Sequence, residues 1–379
     1  MCKVLVSRQA IPNVPNLRFP EFSGEWMSCQ LGKIASLSKG EGISKDQRSI
    51  NGNPCILYGE LYTTYSTEII DKVISKTNLP EKGLVKSKAN DVIIPASGET
   101  AIDISTARCV TRSDVFLGGD LNIIRLKGQD GKFFSYQLNG VRKKDIAKVA
   151  QGVSIVHLHG SDLATVQVNY PSIGEQQKIS GFLSLIDQRI AIQNRLIEKY
   201  ESLIKAIAFE IIGRNRSNTT LSDCVFCSSS TLKESELINT GIPTYGAAGI
   251  SGYTAEALCK SDSILITKDG SGVGSKRYVH GEHSFVGTLC SLTPKDGIYL
   301  PYVYYALMIM NLDTYKTGQA IPHIYFKDYG KLQLFCPTYS EQRRLSHGLE
   351  TLDRKVGYEE SLLLSINEVK KGLLDQLFI

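Results

Sequence analysis

The sequence predicts an α+β chain: two mixed α/β globules in tandem, each followed by a long helix, the two helices pairing as an antiparallel coiled coil. Three observations predict it. An apolar heptad runs through 172–211, the same heptad returns in 338–377, and short β-like segments between turn residues fill the stretches before each. A helix with one long apolar stripe requires a partner, and the duplicated heptad supplies it.

The first heptad is Ile179, Leu183, Ile186, Ile190, Gln193, Ile197, Tyr200, Ile204, Ile207 and Ile211, at alternating steps of four and three. It follows Pro171 and a capping-box pattern in which Ser172 and Glu175 are expected to satisfy each other's backbone. At 1.5 Å per residue, a helix of about 40 residues is roughly 60 Å long. Adding 166 gives Leu345, Leu349, Leu352, Val356, Glu359, Leu363, Ile366, Lys370, Leu373 and Leu377, and the cap returns as Thr338 and Glu341 after Pro337. The same offset pairs Gly152 with Gly318, His157 with His323, Gln176 with Gln342 and Asp187 with Asp353, so the chain is an internal duplication. Gln193 and Glu359 interrupt both stripes at one repeat position, and we read them as a register device near the middle of an antiparallel pair.

Residues 1–16 read as a tail and 17–171 as the first globule, with strands around Cys55–Tyr58, Asp91–Ile94, Leu121–Leu126 and Val166–Val168 and a helix over Phe133–Val149. The first long helix is placed at 172–213, a polar linker at 214–218, the second globule at 219–337 and the second helix at 338–379. Within the globules the offset declines: 190 from Leu31 to Leu221, 171 from Asp91–Ile94 to Asp262–Leu265, 168 from Gly119 to Gly287, then 166. The ends of each copy match while the interiors diverge, the pattern of one scaffold carrying two different surfaces.

With 379 residues and 42% hydrophobic content, two or three packed domains are expected. No apolar run reaches the ~18–20 residues of a membrane span. Met1–Asn16 lacks the continuous apolar core of a secretory signal, so a cytoplasmic location is expected. The nine cysteines show no disulfide spacing, and Cys224 and Cys227 lack the second ligand pair of a structural zinc site, so no metal is assigned. The net charge of +5 permits nucleic-acid binding without establishing it.

Taken together, these features resemble the specificity (S) subunits of type I restriction–modification systems. The resemblance covers nearly the whole chain from Leu17. It rests on the opening Leu17-Arg18-Phe19-Pro20-Glu21-Phe22, the Leu31-Gly32 start of the first globule, and Pro171 with Glu175-Gln176 repeated as Pro337 with Glu341-Gln342. The strings Gly152 to His157 and Gly318 to His323 add to it. The resemblance implies that each globule is a target recognition domain reading one half of a split, asymmetric site in double-stranded DNA. It implies that the helices set the spacer and dock two methyltransferase subunits, which bring S-adenosylmethionine, with restriction/motor subunits bringing ATP and Mg. No cofactor is expected in this chain.

The glycine cluster from Asp269 to Arg277 departs from the phosphate-loop spacing, and the following Lys276–Val279 reads as a strand, where a phosphate cradle requires a helix. No Asn/Asp-Pro-Pro-aromatic string for adenine methylation is present. A non-catalytic subunit is therefore expected; the rivals are a fused methyltransferase/nuclease and a coiled-coil protein-interaction scaffold. Candidate DNA contacts are residues in polar loops: Lys39, Lys45, Arg48, Tyr62, Ser97, Glu99 and Thr100 in the first globule, and Lys233, Tyr245, Tyr253, Lys268, Ser271, Lys276 and Arg277 in the second. Charge reversal at Lys276 and Arg277 is expected to weaken binding and spare the fold. His157 and His323 are expected to make structural hydrogen bonds, because duplicated positions belong to the scaffold.

Overall fold

The computed structural model describes residues 13–152, 155–270, 272–318 and 321–379. Four helices carry the architecture: α1 (Gly131–Asn139), α2 (Ile173–Ala208), α3 (Leu300–Met308) and α4 (Tyr339–Leu377). The chain divides into two compact units, one formed by the residues up to Ile192 with Leu363–Ile379, the other by Gln193–Leu362.

In the first unit a five-stranded sheet runs in the order Ala35–Lys39, Leu121–Leu126, Asp91–Pro95, Arg108–Val110 and Ile69–Ile70. Its pairs are antiparallel except the last, which is parallel. Asp91–Pro95 lies at its centre and is buried at every position, which accounts for its unbroken Val-Ile-Ile run. A second sheet is built from Arg48–Ser49, Lys76–Thr77, Asn53–Ile56, Phe116–Leu117 and Val85–Lys86. The helix expected over 133–149 is two helices, α1 and a shorter one over Lys143–Val149, because Gly140 ends the first by donating to the Tyr136 carbonyl. Phe133 packs on Trp26 and on Phe378, so the end of α4 closes this core.

The second unit repeats the plan with fewer strands. Val225–Ser229, Leu289–Pro294, Ser263–Thr267 and Lys276–Val279 form an antiparallel sheet, and Gly249–Thr254, Ile242–Gly246 and Ser284–Phe285 form another. Strand register corrects one sequence anchor. Leu121 pairs with Pro95 in the first copy and Leu289 with Thr267 in the second, so the offset at this strand is 172 and not 171. The first copy therefore carries 190 − 172, or 18, extra residues between its first two anchors.

Along the long helices, the heptad positions face inward within each unit. Ile179 and Leu183 share a buried cluster with Leu377, and Leu373 packs against it. In the second unit Ile197, Ile204, Leu349 and Val356 are buried. There Gln193 lies opposite Glu359 while Tyr200 lies under the Lys355 ammonium, so partner numbers fall as helix numbers rise and the segments are antiparallel. Gln193 Nε2 donates to the Glu359 carbonyl at 3.1 Å and to its carboxylate. Replacing both Gln193 and Glu359 with leucine should raise stability by about 1 kcal/mol or more, read by urea unfolding. A double variant no more stable than the parent would mean that the polar pair carries no stability cost.

Candidate nucleic-acid interface

Each recognition surface hangs on a duplicated joint. Gln176 and Gln342 are fully buried where the long helices begin. The Gln176 side chain accepts from the Asp130 N–H at 3.0 Å and donates to the Pro171 carbonyl at 2.9 Å. Gln342 accepts from the Tyr299 N–H and donates to the Pro337 carbonyl, both at 2.8 Å. Asp130 and Tyr299 are the N-cap residues of α1 and α3, so one glutamine satisfies an exposed helix-end donor in each copy. Tyr136 of α1 donates to Asp187 at 2.6 Å, and Tyr305 of α3 lies near the equivalent Asp353. Glu341 caps its helix through Thr338 as expected. Glu175 departs from its expected box with Ser172, because its buried carboxylate is taken by Arg18 at 2.7 and 2.8 Å.

The Gly-to-His strings form a second shared feature. Gln151 and His157 exchange both backbone hydrogen bonds, as do Thr317 and His323. The bends require Gly152 and Gly318, at φ +122° and +89°, where a Cβ would sit 2.1 and 2.4 Å from the carbonyls of Ile155 and Ile321. The expected structural role of the histidines is carried mainly by their main chains. The His157 ring is exposed and lies parallel to that of His159, and His323 Nδ1 lies 3.3 Å from the Ile321 carbonyl.

Within the first unit, two of the seven candidates, Lys45 and Arg48, line one cleft of about 690 Å³, together with Tyr58, Glu60, Thr63 and Thr64 among others. Lys45 opens a 3₁₀ turn capped by Ser44 and Gln47, which lifts Arg48 over the opening. Tyr62 stands beside Glu99 and Asp103, its hydroxyl pKa pushed up chiefly by burial. Thr100 is the N-cap of the short helix Ala101–Ile104, its hydroxyl bonded to Asp103 and accepting from the Asp103 N–H, so its polar atoms serve the turn. Ser97 is corrected outright: it is buried, in a strand paired with His157, and presents nothing to a ligand. Lys39 ends its strand exposed, and Glu99 is exposed.

Strands Ser263–Thr267 and Lys276–Val279 of the second unit pair antiparallel as the arms of the expected hairpin, with Ile266 opposite Lys276. Alternation along Lys276–Val279 sends neighbours to opposite faces. Arg277 lies 5.7 Å over the Tyr245 ring, which joins two candidates on one face. Lys276 turns the other way, donating to the Met310 carbonyl at 2.6 Å. Burial pushes its pKa down to about 8, with Lys205 adding and Asp313 opposing. Lys276 is thus a packed residue and not a free phosphate clamp. Lys268 is half-buried, its backbone tied to Thr288 and Ile324. Lys233 is exposed at the start of a 3₁₀ turn, and Tyr253 is half-buried and paired with Pro243. Ser271 lies outside the described residues.

Sequence reading missed Glu60, a carboxylate only 5% exposed beside the first cleft, because a single glutamate before an apolar residue carries no pattern. It also missed Lys370, which sits on the apolar heptad yet lies 2.7 Å from both Glu68 and Asp187; its break in the stripe was the available signal. Cys224 ends a helical turn and lies against Cys336, whereas Cys227 lies in a strand against Cys290. Among the described residues no group of three or more metal-binding side chains forms, and no helix is long and apolar enough to cross a membrane.

A family model, the type I restriction modification DNA specificity domain, matches the chain twice, over residues 23–202 and 219–368. The type I restriction enzyme EcoprrI specificity subunit of Escherichia coli is 26% identical over 129 residues, 34% of this chain and 30% of that one. The MjaVIII specificity subunit of Methanocaldococcus jannaschii is 25% identical over 126 residues, 32% of this chain and 29% of that one. These alignments span less than a third of either curated relative. The crystal structure of a type I restriction–modification S subunit from M. genitalium matches with a TM-score of 0.64 at 22% identity, covering 96% of this chain and 99% of that one. At that identity the likeness is one of fold.

Proposed function

The chain belongs to the type I restriction–modification DNA specificity family, and from that premise we propose that it reads a bipartite, asymmetric site in double-stranded DNA, one half-site per unit. The observation that carries this reading is one scaffold bearing two different surfaces. Both copies share the buried glutamine joint and the glycine bend, yet one presents Lys45 and Arg48 over a cleft and the other presents Arg277 against Tyr245. Basic side chains of these loops meet phosphates or base edges, and polar side chains at the cleft read base edges. The chain makes and breaks no covalent bond. Two methyltransferase subunits docked on the long helices bring S-adenosylmethionine and flip the target adenine out of the stack, and restriction/motor subunits bring ATP and Mg. The assembly works in the cytoplasm.

Methylome sequencing of cells with and without the chain tests this. Loss of one bipartite methylated-adenine motif is the expected result; an unchanged methylome in cells that carry the partner subunits would overturn the reading. Inserting a heptad at equivalent points of both long helices should alter the spacer of that motif and leave its half-sites unchanged. On purified protein, Arg277→Glu should weaken DNA binding and reduce its salt slope by about 1, at an unchanged melting temperature. Lys276→Glu should lower the melting temperature, because it places a carboxylate against the Met310 carbonyl. Equal melts for the two variants would contradict the packed role of Lys276.

A further inference from the structure

The cleft of the first unit holds an arginine whose orientation is fixed from behind. Arg48 Nε donates to the Lys45 carbonyl at 3.2 Å, and its Nη1 lies 3.5 Å from Glu60 Oε1. Glu60 is itself locked, accepting from the Leu57 N–H at 3.0 Å and from the Ser75 hydroxyl. The guanidinium is therefore held at one edge, while 40% of the side chain remains exposed at the cleft. Nη2 and the second Nη1 hydrogen have no protein acceptor among the described residues. That leaves a planar pair of donors facing outward. Such a pair matches the O6 and N7 acceptors at the major-groove edge of guanine, and a carboxylate behind it removes the rotamer freedom that a solvated arginine loses on binding.

The second copy lacks this device. Its 3₁₀ turn Glu234–Glu236 starts from Lys233, whose backbone N–H is accepted by Glu236, just as the Ser44 N–H is accepted by Gln47. Superposing the turns on that cap sets Lys45 against Glu234 and Arg48 against Leu237. A residue serving only the shared scaffold would recur in both copies; Arg48 does not.

We propose that Arg48, positioned by Glu60, reads a guanine through its N7 and O6 in the half-site recognised by the first unit. This rests on the DNA-reading function proposed above. The test uses the full chain with its methyltransferase subunits, comparing methylomes written by wild type, Arg48→Ala, Arg48→Lys and Glu60→Gln. Arg48→Ala should relax one guanine position in one half-site and leave the other half-site intact, which also shows that the variant folds. Glu60→Gln should relax the same position only, an effect that a merely structural role would not confine to one base. In binding titrations, 7-deazaguanine at that position should weaken the wild-type complex by about tenfold to a hundredfold and leave Arg48→Ala unaffected.

Arg48→Lys separates a forked reader from a point charge. If it writes the wild-type motif at wild-type affinity, Arg48 holds a phosphate and the proposal falls. It falls equally if Arg48→Ala leaves the motif unchanged, or if the half-site it alters contains no guanine. Should Arg48→Ala write no motif at all, Arg48→Lys decides. If the wild-type complex itself writes no bipartite motif, the DNA-reading function fails, a result distinct from any of these.

Discussion

Replacing Lys370 with methionine should destabilise the first unit by about 3–5 kcal/mol, measured by urea unfolding. The ammonium lies 2.7 Å from both Glu68 and Asp187, with all three side chains at or below 14% exposure, and 5.7 Å from the centre of the Tyr136 ring. Methionine preserves the packing of the stem but leaves two buried carboxylates facing each other. The loss should depend on pH. Burial, reinforced by Asp187, already holds the Glu68 pKa above its ordinary value against the opposing pull of Lys370. A carboxyl raised in the folded state contributes stability that is present below its unfolded pKa and lost as pH rises through its folded one. Without Lys370 that pKa rises further, so the deficit of the variant should be small near the ordinary carboxylate range and full at neutral pH. Unfolding at about pH 4 and about pH 8 measures the difference, and an equal deficit at both would show that lost packing, not lost charge, is responsible.

Removing the Arg18 side chain should cost a similar amount, about 3–5 kcal/mol, for a separable reason. Arg18 engages both oxygens of Glu175, at 2.8 and 2.7 Å, and also donates to the carbonyls of Ser23 and Gly24. The Glu175 side chain is only 1% exposed, so Arg18→Ala strands a charge at the start of α2. Glu175→Gln should cost less, because an amide is cheaper to bury than a carboxylate and still accepts one hydrogen bond. In a double-mutant cycle, Arg18→Met with Glu175→Leu should recover a large part of the Arg18→Ala loss. Simple additivity of the two single losses would remove the pair as the cause.

Glu175 also shows where sequence reading stops. Its spacing from Ser172 matches a cap, and its duplicate Glu341 makes that cap through Thr338. Only the first copy has a preceding segment carrying Arg18, and a charge-assisted pair displaces a local cap. The helices, their antiparallel pairing and the tandem units were legible because a heptad and a fixed offset are long signals. The Gln193–Glu359 contact was legible for the same reason. Side-chain direction was not. A charge in a polar stretch scores alike whether it stays exposed, as Lys39 does, or folds back onto a distant carbonyl, as Lys276 does. Ser97 failed because a buried two-residue strand beside a turn has too few residues to show alternation. The joint glutamines were visible as a repeat, but their partners at Asp130 and Tyr299 lie 46 and 43 residues away in sequence.

Those glutamines hold the domain they fasten through main-chain atoms in both copies, and Gln176 donates to the Gln129 side chain as well, at 2.6 Å. Asp130 and Tyr299 have nothing in common as side chains, yet each offers the same N–H to the same amide oxygen. That main-chain part of the coupling is indifferent to which side chain its partner carries, whereas Arg18, Gln129, Asp130 and Tyr136 meet the first long helix with their side chains. A domain exchanged over 17–171 would find the main-chain contacts waiting at Gln176 but would have to bring its own partners for Glu175, Ser180 and Asp187. The joint thus has two parts: a main-chain socket common to both copies, and side-chain partners that an incoming domain must match.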